Sequence, residues 1–291
     1  MVIQLSLGSG GGNKVRYPLC ESIYCSHIAF LVFICVVPNL ILQPSTSFAS
    51  ETAGWRFGGL LEMTKFTRGK SEYAQIECIT DSLDFRDDRM SENLYNDLFS
   101  SCFSVSARTL IIDQTSSLTN IDFLMNVREV RDIIDIRNTF DLVDIKGLRN
   151  IERIGGAIQI EDNRALTDTG GAFQKITELY QEVRIQGNRL LTDINAFQNL
   201  KHVDDYVLIT NNQSLASIKT GFKKLNRIYG DLRVHANPEL SDISALSNLQ
   251  SVDGLILLRD NNDALDCAFL QYVTAGSYSL DCAVANKQSR Y

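Results

Sequence analysis

The sequence predicts a mainly β protein in which a parallel β-helix, a solenoid of about seven coils, occupies most of the chain. The first observation is a pair of apolar residues, one residue apart, that returns every 24 or 25 residues. The second is a polar residue, Asn or Thr, that stands three positions after each pair. Repetition at this interval indicates stacked coils, because each unit can bury its apolar residues only against its neighbours.

Each apolar pair predicts one short strand. Side chains separated by one residue lie on the same side of a strand, and most of the pairs are β-branched, which favours a strand over a helix. Neighbouring coils are expected to stack their strands about 4.8 Å apart. The pairs begin at Leu110, Ile134, Ile158, Val183, Val207, Leu232 and Ile256.

The residues after each strand predict turns rather than an α-helix. Further apolar residues follow in even steps of three, as in Phe197, Leu200 and Val203, whereas the apolar face of a helix alternates steps of three and four. Such steps suit short arcs with a corner at each apolar residue. The polar residue predicts a ladder that satisfies backbone groups from coil to coil. Its members are Thr115, Thr139, Asn163, Asn188, Asn212, Asn237 and Asn261.

The segment before the first coil predicts an N-terminal helical cap. EYAQIECIT is typical of a short strand and carries Cys78, and Ser91 can begin a short helix in which Leu94, Leu98 and Cys102 lie on one face. A cap is needed because a stack of repeats exposes an apolar end that the terminal unit must cover.

The cysteines predict disulfides at both ends of the repeats. Of the seven, four lie beyond residue 50, with Cys78 and Cys102 before the coils and Cys267 and Cys282 after them. Paired cysteines of this kind indicate an oxidising compartment, and a Cys78–Cys102 bridge would join the strand of the cap to its helix. The alternative is four unrelated free thiols in a cytosolic protein.

The first 49 residues predict a signal peptide. The apolar run IAFLVFICVVPNLIL (28–42) is shorter than the ~20 residues of a membrane-spanning helix, and small residues precede a cleavage position after Ala49. The alternative is an uncleaved type II signal anchor, which would be the only membrane contact. We further expect a linker over residues 50–75, one β-helix domain over 76–282 and a tail over 283–291.

Composition and motifs argue against nucleic-acid binding and catalysis. The net charge is -7, the isoelectric point is about 5.1, and no concentrated Lys/Arg face appears. We find no pattern for a cofactor, a metal site or a catalytic residue set. The outward strand positions alternate acids and bases, and the sequence predicts no acidic pair on neighbouring coils of the kind that a carbohydrate-cleaving β-helix would use.

The repeated pattern, the cysteine pair of the cap and a last coil that runs through DNNDALDC into Cys267 resemble the receptor L domain of insulin and epidermal growth factor receptor ectodomains. In ordinary leucine-rich repeats the Leu stands two residues after Asn, whereas here it stands three after, as in NPEL. The resemblance covers about residues 76–282. It implies a right-handed β-helix and a binding role rather than a catalytic one.

These observations predict a secreted or cell-surface module that binds a protein or glycan ligand through one face of the β-helix. The alternatives are a structural cell-wall or matrix protein and, less favoured, a carbohydrate-active enzyme. Asn212 begins the only sequon and could carry a glycan or serve in the ladder. The candidate binding face consists of Arg184, Tyr206, Leu208, Arg233, Leu255 and Leu257.

Overall fold

A computed structural model describes residues 55–57, 61–63, 77–86, 99 and 102–282, with the backbone alone for the first two ranges. Nearly all of the regular structure is β, with short 3₁₀ turns at Asp122–Asn126, Lys146–Leu148, Ser244–Asn248 and Ala268–Tyr272. The strands are β1 Trp55–Phe57, β2 Leu61–Met63, β3 Glu77–Arg86, β4 Ser104–Asp113, β5 Val127–Val130, β6 Ile134–Arg137, β7 Arg153–Ile154, β8 Ile158–Glu161, β9 Glu178–Leu179, β10 Val183–Gln186, β11 His202–Val203, β12 Val207–Thr210, β13 Arg227–Ile228, β14 Leu232–His235, β15 Ser251–Arg259 and β16 Thr274–Leu280.

The main sheet confirms the parallel solenoid. Its strands pair in parallel in the order β3-β4-β6-β8-β10-β12-β14-β15-β16, and the apolar pairs stay in register, as Val183 with Val207 and Ile185 with Ile209. The solenoid has about eight turns rather than the predicted seven. The additional coil begins in β3, where Leu83 aligns with Leu110. The sequence prediction missed it because these residues are 27 positions apart instead of 24 or 25.

Each coil contributes to two further sides of the solenoid. The short strands β9, β11 and β13 pair in parallel and continue into the first residues of β15. A third side is marked by single parallel bridges that join Asp144, Asp168, Asp193, Ser217 and Asp242 in succession. The coil therefore turns three times at its apolar residues, as the steps of three predict.

Apolar side chains from all three sides fill the interior. Both members of each strand pair are buried, and three phenylalanines of successive coils stack, with ring centroids 5.2 Å apart for Phe173 and Phe197 and 5.1 Å apart for Phe197 and Phe222. Phe173 and Phe197 have φ angles of 56° and 62°, a region that side chains other than glycine seldom adopt. Burial and stacking of the rings offset that cost.

The predicted polar ladder runs from Thr139 to Asn261 along the inside of the corner that follows the main sheet. Its first predicted member, Thr115, is buried at the same corner, but its hydroxyl makes no hydrogen bond. Oδ1 of Asn188 accepts a hydrogen bond from the backbone N–H of Asn163 at 3.0 Å, and Nδ2 of Asn188 donates to the carbonyl of Ile160 at 2.9 Å. Asn212 makes the equivalent contacts with Asn188 and Ile185, both at 3.0 Å. Each amide thus joins two coils through their backbones, while its own side chain is buried.

Disulfides lie at both ends of the solenoid, between Cys78 and Cys102 and between Cys267 and Cys282. Their Cα atoms are 5.8 and 6.0 Å apart, an ordinary separation for a disulfide. The predicted cap helix, which would begin at Ser91, lies outside the described residues apart from Phe99 and Cys102.

Within the segment predicted as a linker, β1 and β2 form a small antiparallel pair. The proposed signal peptide and the tail over 283–291 lie outside the described residues. In the part of the chain that the structure describes, no helix is long and apolar enough to cross a membrane.

Candidate functional site

The main sheet brings the residues of the candidate binding face together. Arg184, Leu208, Arg233 and Leu257 align in register on four successive strands, β10, β12, β14 and β15. Their side chains point away from the core because their neighbours on each strand point inward. The four residues form one outward column with a spacing of about 4.8 Å between neighbours. Tyr206 and Leu255, each two residues before a member of this column, stand beside it.

Arg184 and Tyr206 lie at one end of this face. The Arg184 guanidinium donates a hydrogen bond to Tyr206 Oη and lies 5.7 Å from the centre of the tyrosine ring. Its Nε lies 3.4 Å from Glu161 Oε1. The bond to Tyr206 raises the pKa of Arg184, with further contributions from Glu161 and Glu182. The arginine therefore holds the tyrosine ring in a fixed position on the sheet.

Arg233 is held by Asp231 in the same way. Its Nε donates to Asp231 Oδ2 at 3.0 Å, and Asp231 Oδ1 accepts the backbone N–H of Leu255 at 2.7 Å. Burial opposes the ionisation of Asp231, but the bonds from Leu255 and Arg233 outweigh it and hold its pKa below the ordinary value. This carboxylate therefore bonds both Arg233 and the backbone of Leu255.

The apolar members of the face are half-buried rather than fully exposed. Tyr206, Leu208, Leu255 and Leu257 each keep part of their surface accessible, and Arg233 is exposed. Partly covered aromatic and aliphatic groups beside arginines have the composition of protein recognition surfaces. Most of the side chains are already positioned, so a ligand would order few of them on binding.

The other half of the sheet carries a network of carboxylates that the sequence did not reveal. Asp113 Oδ2 and Asp135 Oδ2, on neighbouring strands β4 and β6, both lie 3.4 Å from Arg137 Nε. The prediction of no acidic pair on neighbouring coils is therefore wrong. It considered the middle of each strand and the residue preceding it, whereas Asp113, Arg137 and Glu161 form a further outward column at the strand ends.

Two carboxyls of this network are shielded from water. Burial raises the pKa of Asp135, and Asp113 adds to the effect while Arg137 opposes it. Burial likewise raises the pKa of Glu161, with Arg184 opposing. Asp135 is only 7% exposed, and its Oδ1 has no hydrogen-bond partner. Raised pKa values are common at functional sites, but structural ion-pair networks produce them as well, and a carboxyl this buried offers little surface to a substrate.

Asn212 is placed in the ladder. Its side chain is fully buried, its Nδ2 donates to Ile185 O, and its Oδ1 accepts from Asn188 N. A glycan would have to be attached to that same nitrogen. The sequence left open whether Asn212 carries a glycan or serves in the ladder, and the geometry of the folded chain fits the ladder.

A second polar column went unnoticed in the sequence. It lies at the corner after the ladder, two residues beyond the Leu of most coils, and we call it the turn column. Six of its seven members accept a hydrogen bond from the backbone N–H two residues later. Asn, Asp and Ser at a constant interval were the available signal. The members are Asn120, Asp144, Asp168, Asp193, Ser217, Asp242 and Asp266.

Among the described residues, no three His, Cys, Asp or Glu side chains are grouped to hold a metal ion. The fold and the face define the class: a disulfide-closed β-solenoid repeat protein with a mixed tyrosine, leucine and arginine face on its main sheet. No protein-family model, curated protein or solved structure matches the chain.

Proposed function

We propose that this chain is a non-catalytic binding module, secreted or displayed at the cell surface, which recognises a protein or glycan ligand through the main sheet face. The observation that carries the proposal is the aligned column of Arg184, Leu208, Arg233 and Leu257 with Tyr206 beside it. These residues are not needed for the core, because the inward positions of the same strands fill it. Half-buried aliphatic and aromatic groups beside arginines are typical of binding surfaces.

The proposal includes the architecture that the resemblance implies, a right-handed β-helix of the receptor L type. The parallel solenoid, the Asn ladder and the terminal disulfides support it. In that class of domain the repeated positions hold the fold and the residues between them meet the ligand. In the present chain the inward positions of the main sheet are buried, and the outward positions between them are the residues that we propose to meet the ligand.

The extracellular location rests on the two disulfides, since such bonds persist in oxidising compartments. The mature protein is expected to begin at Ser50. N-terminal sequencing of material from the culture medium tests this. A chain that still begins near Met1 and fractionates with membranes would support the signal anchor instead.

The binding role is tested by affinity capture with the full chain secreted from a eukaryotic host. The wild type is incubated with native extracellular material and compared with a variant that carries Tyr206→Ala and Leu257→Asp. A matched control carries Phe140→Ala and Leu190→Asp, which alter one exposed aromatic and one exposed leucine away from the sheet face. We expect the face variant to lose the retained ligand and the control to keep it.

Retention that is unchanged in the face variant would overturn the proposal. Fractionation with insoluble wall or matrix material, without a soluble ligand, would support the structural alternative. Release of reducing sugar from a polysaccharide would support the enzymatic one, and Asp135→Asn and Glu161→Gln would then identify whether the carboxylate network is responsible.

A further inference from the structure

A second surface of the solenoid presents a column in which tyrosines and carboxylates alternate. Tyr180, Asp204 and Tyr229 each follow the short strand of their coil, and Asp253 takes the equivalent position near the start of β15. The two tyrosines are 55% and 47% exposed, and the two aspartate side chains are 41% and 43% exposed. We call these four residues the corner column. None of them belongs to the main sheet face.

The backbone between the coils fixes the spacing of this column. Asp204 N donates to Leu179 O at 2.9 Å, and Tyr229 N donates to Val203 O at 2.9 Å, so the parallel pairing of the short strands continues through these residues. Neighbouring members are therefore about 4.8 Å apart along the solenoid, and the two tyrosines are separated by about twice that distance.

Both tyrosine rings are held in place by neighbours on their own side of the solenoid. Tyr180 Oη donates to Glu178 Oε2 at 3.2 Å. The Arg227 guanidinium lies 4.4 Å from the centre of the Tyr229 ring, and the His202 ring meets that tyrosine edge-on at 6.3 Å. Rings that are exposed but already oriented lose little conformational freedom when a ligand binds.

We propose that the corner column is a binding site for an extended, uncharged, β-1,4-linked glycan lying parallel to the solenoid axis. In such a chain each sugar advances by nearly the distance between two coils and is flipped relative to the last. Every second sugar can then place its apolar face on a tyrosine. The sugars between can donate hydroxyl hydrogen bonds to Asp204 and Asp253.

The charge of the surface selects the class of glycan. Two members of the column, Asp204 and Asp253, are acidic, and Glu178 and Asp205 lie next to it. Arg227 is bound to both oxygens of Asp253 at 3.2 and 3.0 Å. The remaining carboxylates repel a sulfated or uronic acid chain. Neutral sugars meet no such barrier. The corner column shares no residue with the main sheet face. Either proposal can therefore be overturned while the other stands.

The test is calorimetric titration of the full secreted chain with chitohexaose and with cellohexaose, which share the β-1,4 linkage and differ in the acetamido group. We expect at least one of them to bind, and the corresponding disaccharide to bind much more weakly because it cannot reach both rings. Tyr180→Ala with Tyr229→Ala is expected to weaken binding by about tenfold or more. A heparin hexasaccharide should not bind.

The matched control is Phe140→Ala with Leu190→Ala. Phe140 is 40% exposed, and its ring lies 4.4 Å from the Arg164 guanidinium, so it reproduces the Tyr229–Arg227 contact at a different corner. This control should bind like the wild type, and both variants should keep the wild-type unfolding midpoint. Hexasaccharides that fail to bind, a disaccharide that binds equally well, or binding that survives loss of both tyrosines would overturn the proposal. Capture of a protein that depends on both tyrosines, without glycan binding, would overturn it as well.

Discussion

The polar ladder and the turn column are two columns of short polar side chains with the same period, but they lie in different surroundings. In the ladder, Asn163, Asn188 and Asn212 are fully buried and each joins the backbones of two coils. In the turn column, Asp144 and Asp242 remain partly accessible and bond within their own turn. Burial therefore determines how much each column contributes to stability, because only the ladder has no water to replace a lost partner.

The largest effect is expected in the middle of the ladder. Asn188→Ala leaves the N–H of Asn163 and the carbonyl of Ile160 without their side-chain partner inside the protein. We expect a loss of about 3 kcal/mol in the free energy of unfolding, since each unsatisfied buried group costs ~1–3 kcal/mol. Denaturant unfolding measures it. Arg189→Ala, an exposed neighbour, is the control and should change stability by less than about 0.5 kcal/mol.

Asn212 tests whether the ladder tolerates any change of side chain. Asn212→Gln keeps the amide but adds a methylene to a closely packed column, and we expect a loss of about 1–3 kcal/mol. The intact mass of the secreted wild type should be unchanged by deglycosylation, because the Nδ2 atom that would carry a glycan is buried and hydrogen-bonded. A mass shift that disappears in Asn212→Gln would contradict the ladder assignment.

The carboxylate network of the main sheet predicts a smaller, pH-dependent effect. Burial raises the pKa of Asp135 above that of the unfolded chain, so the folded state holds its proton more tightly. Stability should therefore fall as pH rises from the unfolded pKa through the folded one. Asp135→Asn removes this contribution. When the free energy of unfolding is measured in urea at several values between about pH 4 and 7, it should fall less steeply with pH in the variant than in the wild type. A free energy of unfolding that falls more steeply with pH in the variant would contradict the raised pKa of Asp135.

The smallest effect is expected in the turn column. Bonds from the hydroxyl and the amide of Ser244 hold the pKa of Asp242 below its ordinary value. Its contribution is present above the unfolded pKa and is lost as pH falls through the folded one, the opposite of Asp135. Asp242→Ala should cost about 0.5–1 kcal/mol near neutral pH, as for a partly exposed cap. Asp242→Asn keeps the cap and should cost less, and unfolding curves of the two variants make the comparison.

The sequence predicted the solenoid well because its period is carried by residues that face inward. Ile158, Ile160 and Asn163 define the strand and the ladder through their type and spacing alone, and those are read directly from the chain. The coil that contains Leu83 was missed because an insertion lengthens the interval before Leu110. Periodicity detects a coil only when its length is maintained.

The candidate site was predicted less completely, because the outward residue types of the main sheet do not repeat from coil to coil. Arg184, Leu208 and Leu257 were found by counting from the inward pairs. Asp113 and Tyr180 were missed because they lie at a strand end and at a corner, and only the folded coil shows which side chains meet there. Contacts such as that between Asp135 and Arg137 depend on side-chain conformations that spacing does not specify.

The most direct test of the account compares the ladder residue and the turn-column residue of the same coil, in four successive coils. Each residue is replaced by alanine in a separate variant, and the free energy of unfolding of each variant is measured. The pairs are Asn163 and Asp168, Asn188 and Asp193, Asn212 and Ser217, and Asn237 and Asp242. We predict that the ladder substitution costs more than the turn-column substitution in every coil. Equal losses in the two columns, or larger losses in the turn column, would contradict the claim that the buried ladder holds the coils together.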